Sequence, residues 1–186
     1  MATQTNYDGE NSKVGQIARA HPFLLSHGKV QVDANERMPR PGDAVIWDSA
    51  NHAFKIPSSS ELRNAVGIVT LDGGAIPTRV GSTTNTAVQY PDGSNITVMV
   101  QGVIGVRVVT SASQTINFGA KMVWKIPSGI DVESDWEQIA TAAFGGTNPA
   151  STQSTVNALL GVQVHAFNTD QVGNSTTTVI PVRVNI

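Results

Sequence analysis

Residues 96–109 constrain this chain more than any other stretch. Val98, Val100, Val103, Val106, Val108 and Val109 crowd into it. Valine is stiff at χ1 and fits a pleated backbone better than a helix. Gly102 and Gly105 interrupt the run and predict a bulge or bend inside one long strand. Such a strand cannot stand alone. Its backbone groups need partners and its apolar side chains need a core.

Partner strands can be read on both sides. Ala44, Val45, Ile46 and Trp47 alternate into a strand, residues 48–51 (Asp-Ser-Ala-Asn) supply turn chemistry, and Ala53, Phe54 and Ile56 return as the second arm of a hairpin. Residues 65–69, Ala-Val-Gly-Ile-Val, form a short apolar strand, and Pro91-Asp92-Gly93 is a turn. Hydrophobic residues make up 40% of the 186, yet only 5% are aromatic and 14% are charged. The core is therefore aliphatic, and a coiled coil or a disordered charged tail is excluded.

The pattern then recurs. Gly119 to Trp124 repeats the spacing of Gly42 to Trp47, 77 residues later. Residues 159–164 match 65–69 with Gly161 against Gly67, and Val182 and Val184 match Val98 and Val100. The expectation is a mainly β fold, a small β-barrel or sandwich built from two weakly similar halves, 41–109 and 110–186. An extended N-terminal arm, 1–40, precedes this single β-domain. The arm has scattered apolar residues, a plug at Phe23-Leu24-Leu25 and prolines near its end, too little to offset the entropy of folding alone. One short helix is expected near 134–143, where Ser134 and Glu137 fit a capping box and Trp136, Ile139, Ala140 and Ala143 share a helical face. Val66, Ile68, Val98, Val100, Val106, Val108, Val123, Leu160, Val162, Val164, Val182 and Val184 are expected in the core, with Trp47 and Trp124 as plugs at barrel ends.

Chemistry is hard to find. The net charge of −2, from 12 basic and 14 acidic residues, leaves no footprint for nucleic acid. No apolar run approaches the ~20 residues of a membrane span, so no membrane association is expected. The N-terminus has neither the basic nor the apolar segment of a secretory leader, and the absence of cysteine favours assembly in a reducing cytoplasm. His21, His27, His52 and His165 lack zinc-site spacing, and there is no Gly-x-Ser-x-Gly elbow, phosphate loop or calcium loop. The reading is of a protein that is not an enzyme, with no catalytic residue, cofactor or metal.

Three segments together resemble a family. Pro41-Gly42-Asp43-Ala44-Val45-Ile46-Trp47 opens one strand, Ala65-Val66-Gly67-Ile68-Val69 forms the next, and Val98-Met99-Val100-Gln101-Gly102 follows. This order looks like that of the capsid cement (head decoration) proteins of tailed bacteriophages. The resemblance covers roughly 41–109, and the repeat extends it to the end of the chain. It implies a virion structural protein on the outer capsid surface, made in the host cytoplasm, that bridges neighbouring major capsid subunits and other copies of itself as a dimer or trimer. The arm then supplies contact area. Arg19, Phe23, Leu24, Leu25, Arg37 and Arg40 are the expected partner-binding residues, the cations meeting carboxylates such as those at 131–137 of another copy. Two other readings compete: a tail or fibre β-module of a phage, and a carbohydrate-binding β-sandwich. The latter would have to stack sugars on Trp47, Trp124, Trp136, Tyr7 or Tyr90.

Overall fold

The computed structural model describes residues 14–17, 22–34, 36–58, 60–71, 78–79, 88–108, 114–116, 121–125, 135–138, 163–166, 171–173 and 178–185. The strands are β1 Leu24–Val30, β2 Ala44–Asp48, β3 Ala53–Lys55, β4 Ala65–Val69, β5 Thr78–Arg79, β6 Val88–Gln89, β7 Asn95–Val108, β8 Gln114–Ile116, β9 Lys121–Lys125, β10 Asp135–Gln138, β11 Gln163–Ala166, β12 Gln171–Gly173 and β13 Thr178–Asn185. A 3-10 turn at Leu62–Asn64 leads into β4. The fold is mainly β, as expected.

Nine strands form one sheet in the order β1-β3-β2-β4-β7-β10-β9-β11-β13, and two further pairings, β1 with β7 and β7 with β13, close it on itself twice. The first circuit, β1-β3-β2-β4-β7, is a closed five-stranded barrel. The second, β7-β10-β9-β11-β13, is completed by the single pair Trp136–Val108. The long valine-rich strand belongs to both. Residues 95–101 lie against β1 and residues 102–108 against β13. The handover falls at Gly102, whose φ of 138° is open to glycine and strained for other residues.

Register shows that the two circuits are copies. Around the first, Trp47 faces Phe54, Phe54 faces Val30, Gly28 faces Ile96, Val98 faces Val69, and Gly67 faces Val45. Around the second, Trp124 faces Trp136, Trp136 faces Val108, Val106 faces Ile180, Val182 faces Ala166, and Val164 faces Met122. Each step keeps the correspondence set by the one before. Parallel and antiparallel pairings also match: β1–β3 and β7–β10 are parallel and the rest antiparallel. Val182 and Val184 stand for Val98 and Val100, as the sequence implies. The counterpart of Gly67 is Val164 and not Gly161. The boundary between the copies falls inside β7, so β1 belongs to the first and the second half of β7 to the second.

Alternation along the strands builds two joined cores. Val30, Val45, Phe54, Val69, Tyr90, Ile96 and Val98 fill the first barrel. Ala44, Ile68 and Met99 point the other way from their neighbours, joining Ile104, Val106, Met122, Trp124, Trp136, Ile180, Val182 and Val184 in the second cluster. The outer face of the first barrel is thus packed rather than solvated. Among the expected core residues, Ile68, Val98, Val106, Val182 and Val184 are buried, while Val66 and Val100 are only partly so. Leu160 and Val162 lie outside the described residues.

Two expectations need correction. Residues 135–138 form β10, antiparallel to β9, because pairing Trp136 with Trp124 in the core outweighs the local helical spacing. Residues 139–143 lie outside the described residues. The arm is also more deeply incorporated than expected over 14–17 and 24–40. Ile17 is buried and bridges to Ile104, Gly15 donates its N–H to the Gly105 carbonyl at 2.8 Å, and Leu71 donates to Gly15 at 2.7 Å. Strand β1 closes the first barrel. The segment is extended, but its backbone hydrogen bonds are made within this chain.

Candidate partner-binding surface

The residues expected to meet a partner separate into two kinds. Arg37 and Arg40 are buried, which corrects their assignment to a contact surface. Asp43, fully buried on the threshold of β2, accepts Arg37 Nη1 at 2.6 Å and Arg37 Nη2 at 3.0 Å. The same carboxylate accepts the Arg40 backbone N–H at 2.7 Å. Gln89, with its amide oxygen turned to Arg40, accepts from Nε at 3.0 Å and also from Nη2. A buried cation needs such partners, since leaving it unpaired costs several kcal/mol. The Pro39 carbonyl accepts from Tyr90 N–H at 2.8 Å, and Tyr90 Oη donates to the Thr70 carbonyl at 2.9 Å. The Arg-Met-Pro-Arg segment is therefore a strap tied over the first barrel. Its cations are engaged inside the chain and not with residues 131–137 of another copy.

Phe23 and Leu24 are the second kind. They are 45% and 55% exposed at the start of β1. Leu25 turns inward and packs against the core. The cause is an irregularity in the β1–β7 ladder, where the partner jumps from Gln101 for Leu24 to Met99 for Leu25. Phe23 Cβ sits where a side chain on Gly102 would be, with an added Cβ only 2.8 Å away. The exposed pair is thus seated on the strand crossing between barrels. Arg19 lies outside the described residues.

Trp47 is the third large exposed apolar residue, 40% exposed. Its ring meets Phe54 edge to face at 5.0 Å and 71°. A side chain at Gly28 would collide with Phe54 and press on Trp47, so glycine there lets both rings lie on β1. Polar residues border this place. Asp48 accepts the Ala50 N–H at 2.9 Å and Asn51 Nδ2 at 3.0 Å, and Lys55 reaches Asp48 at 4.0 Å and Glu61 at 3.5 Å. The Asn51 side chain, then the Ala50 amide, holds the Asp48 carboxyl below its ordinary pKa. Ser58 does the same for Glu61 through its hydroxyl at 2.6 Å and its N–H at 3.0 Å.

The remaining candidates give no cluster. His27 is exposed on β1 with Nδ1 3.0 Å from the Thr97 hydroxyl, and His52 takes a left-handed φ of 50° in the β2–β3 turn. Among the described residues no three His, Asp or Glu side chains gather as a metal site would require. Among the described residues no helix is long and apolar enough to cross a membrane. Trp124, Trp136 and Tyr90 are buried, which leaves Trp47 as the exposed described member of the sugar-stacking set. Tyr7 lies outside the described residues. The sequence reading missed the clasp role of Asp43. Its signal was present as an acid beside two arginines within six residues, but only burial separates a clasp from a solvated charge run. The chain matches no protein-family model and no curated protein.

Proposed function

We propose that this chain is a structural protein of a phage virion, one that docks on the outer face of an assembled capsid and cements neighbouring major capsid subunits. The exposed pair Phe23 and Leu24 carries this reading. Two large apolar side chains presented by a strand edge, and fixed over Gly102, give a preformed contact that loses little entropy on docking. The three segments behind the resemblance to cement proteins supply β2, β4 and the first half of β7, which are neighbours in that order. The buried Arg37–Asp43 clasp stiffens the same barrel. On a lattice each copy needs only a modest contact, because many copies and contacts act together.

Sedimentation with empty shells of major capsid protein tests the proposal. The full chain is expected to pellet with shells, and the double substitution Phe23→Asp and Leu24→Asp to remain in the supernatant while keeping its melting curve. A full chain that ignores shells, or a variant that binds as well, overturns it. The tail-module reading predicts binding to tail tubes in the same assay. The sugar-binding reading has Trp47 alone for stacking among the described aromatics.

A further inference from the structure

The two barrels are copies, so each contact in one defines a matching place in the other. In the second barrel the facing pair Trp124 and Trp136 is almost sealed, each 3% exposed. Trp136 Nε1 donates to the Gly42 carbonyl at 2.8 Å, and Gly42 lies just before β2 of the first barrel. The first barrel thus covers the aromatic pair of the second. In the first barrel the counterparts are Trp47 and Phe54. Phe54 is buried, but Trp47 is 40% exposed, and where the second barrel fills the adjoining position with Val106 the first has Gly28. The place that is covered in one copy of the fold is open in the other.

We propose that this open end, Trp47 with Phe54 and Gly28, receives the second barrel of another copy of the chain, repeating between molecules the contact made within one. The occupant follows from the duplication. The second barrel has the topology and register of the barrel that already performs the covering. The contact is head to tail, with different surfaces on the two partners, so it propagates from chain to chain until a rotation closes it into a ring. The polar border of Asp48, Lys55 and Glu61 surrounds an aromatic centre, the usual anatomy of a protein interface. This inference stands independently of shell binding.

The full chain labelled with 5-fluorotryptophan gives one fluorine resonance for each of Trp47, Trp124 and Trp136, and the Trp47→Phe variant assigns the first. With rising concentration the Trp47 resonance is expected to shift or broaden, the other two to stay, and the sedimentation mass to rise above one chain. A photo-crosslinking residue at 47 should capture peptides from 110–186 of a second copy. A single-chain mass and a static Trp47 resonance up to about 1 mM, the limit of weak specific affinity, overturn the proposal. Crosslinks confined to the first barrel overturn it too, since they mean a symmetric contact. The fluorine measurement uses the native fold, so it decides the matter even if a variant at 47 folds poorly.

Discussion

Arg37 and Asp43 form a two-pronged ion pair, 2.6 and 3.0 Å, with both side chains out of water. Six residues apart, they bend the chain between them into the strap that carries Arg40 to Gln89. Removing one partner leaves a buried charge. Asp43→Ala is therefore expected to cost about 3–5 kcal/mol, read from urea denaturation. Replacing both with apolar residues, Arg37→Met with Asp43→Leu, should recover much of that loss. A near-neutral Asp43→Ala would show that the pair is not desolvated in solution.

Deletion of residues 1–40 should abolish cooperative unfolding. It removes β1, which pairs with β7 over residues 95–101 and with β3, and it removes Ile17 from the core. The sequence reading of an arm predicts the opposite, a folded domain that binds poorly. Near-ultraviolet circular dichroism and thermal melting of the truncated chain separate the two. A native-like melt would sink the closed first barrel.

Gly102→Ala places a side chain at a φ of 138° and against Phe23. The expected destabilisation is about 1–3 kcal/mol, from backbone strain. Displacement of Phe23 should follow, visible as changed amide shifts along β1. Unaltered stability would mean that β7 passes between the barrels without this bend.

Acid should loosen the β2–β3 end. Asp48 and Glu61 are held below their ordinary values, near 3.8 and 4.5, by hydrogen bonds made to the ionised form. Their folded pKa values lie under their unfolded ones, so the stabilisation is complete above the unfolded values and is lost as pH falls through the folded ones. Stability should be flat from neutral pH to about 5 and fall below that. Asp48→Asn combined with Glu61→Gln should flatten part of the fall, measured by melting across a pH series. An unchanged slope in that variant would assign the acid sensitivity elsewhere.

Strands with alternating or continuous apolar side chains were legible from the chain alone. Residues 65–69 form β4 as read, and the run after Asn95 is β7. Local pattern also carried the duplication through Trp47 and Trp124. It failed where a long-range partner decides the outcome. Residues 135–138 have helical spacing, yet Trp136 is claimed by Trp124 and Val108. Leu24–Val30 lacks clean alternation because the ladder is irregular at Leu24 and because Gly28 leaves room for rings from β2 and β3. Of the candidate site, Phe23 and Leu24 were named from composition. Arg37 and Arg40 were misread, since charge in a sequence does not reveal whether a carboxylate waits beside it in the core.

The shared strand also sets an order of events during synthesis. Every strand of the first barrel lies before residue 102, so that barrel can close while the rest of the chain is still being made. Residues 102–108 then project with one side unpaired until β13, the last strand, arrives more than 70 residues later. A ribosome that stops early, or a protease that trims the C-terminal strand, leaves a valine-rich edge ready to accept a strand from another molecule. Such nascent or clipped chains should be the form of this protein most prone to aggregate.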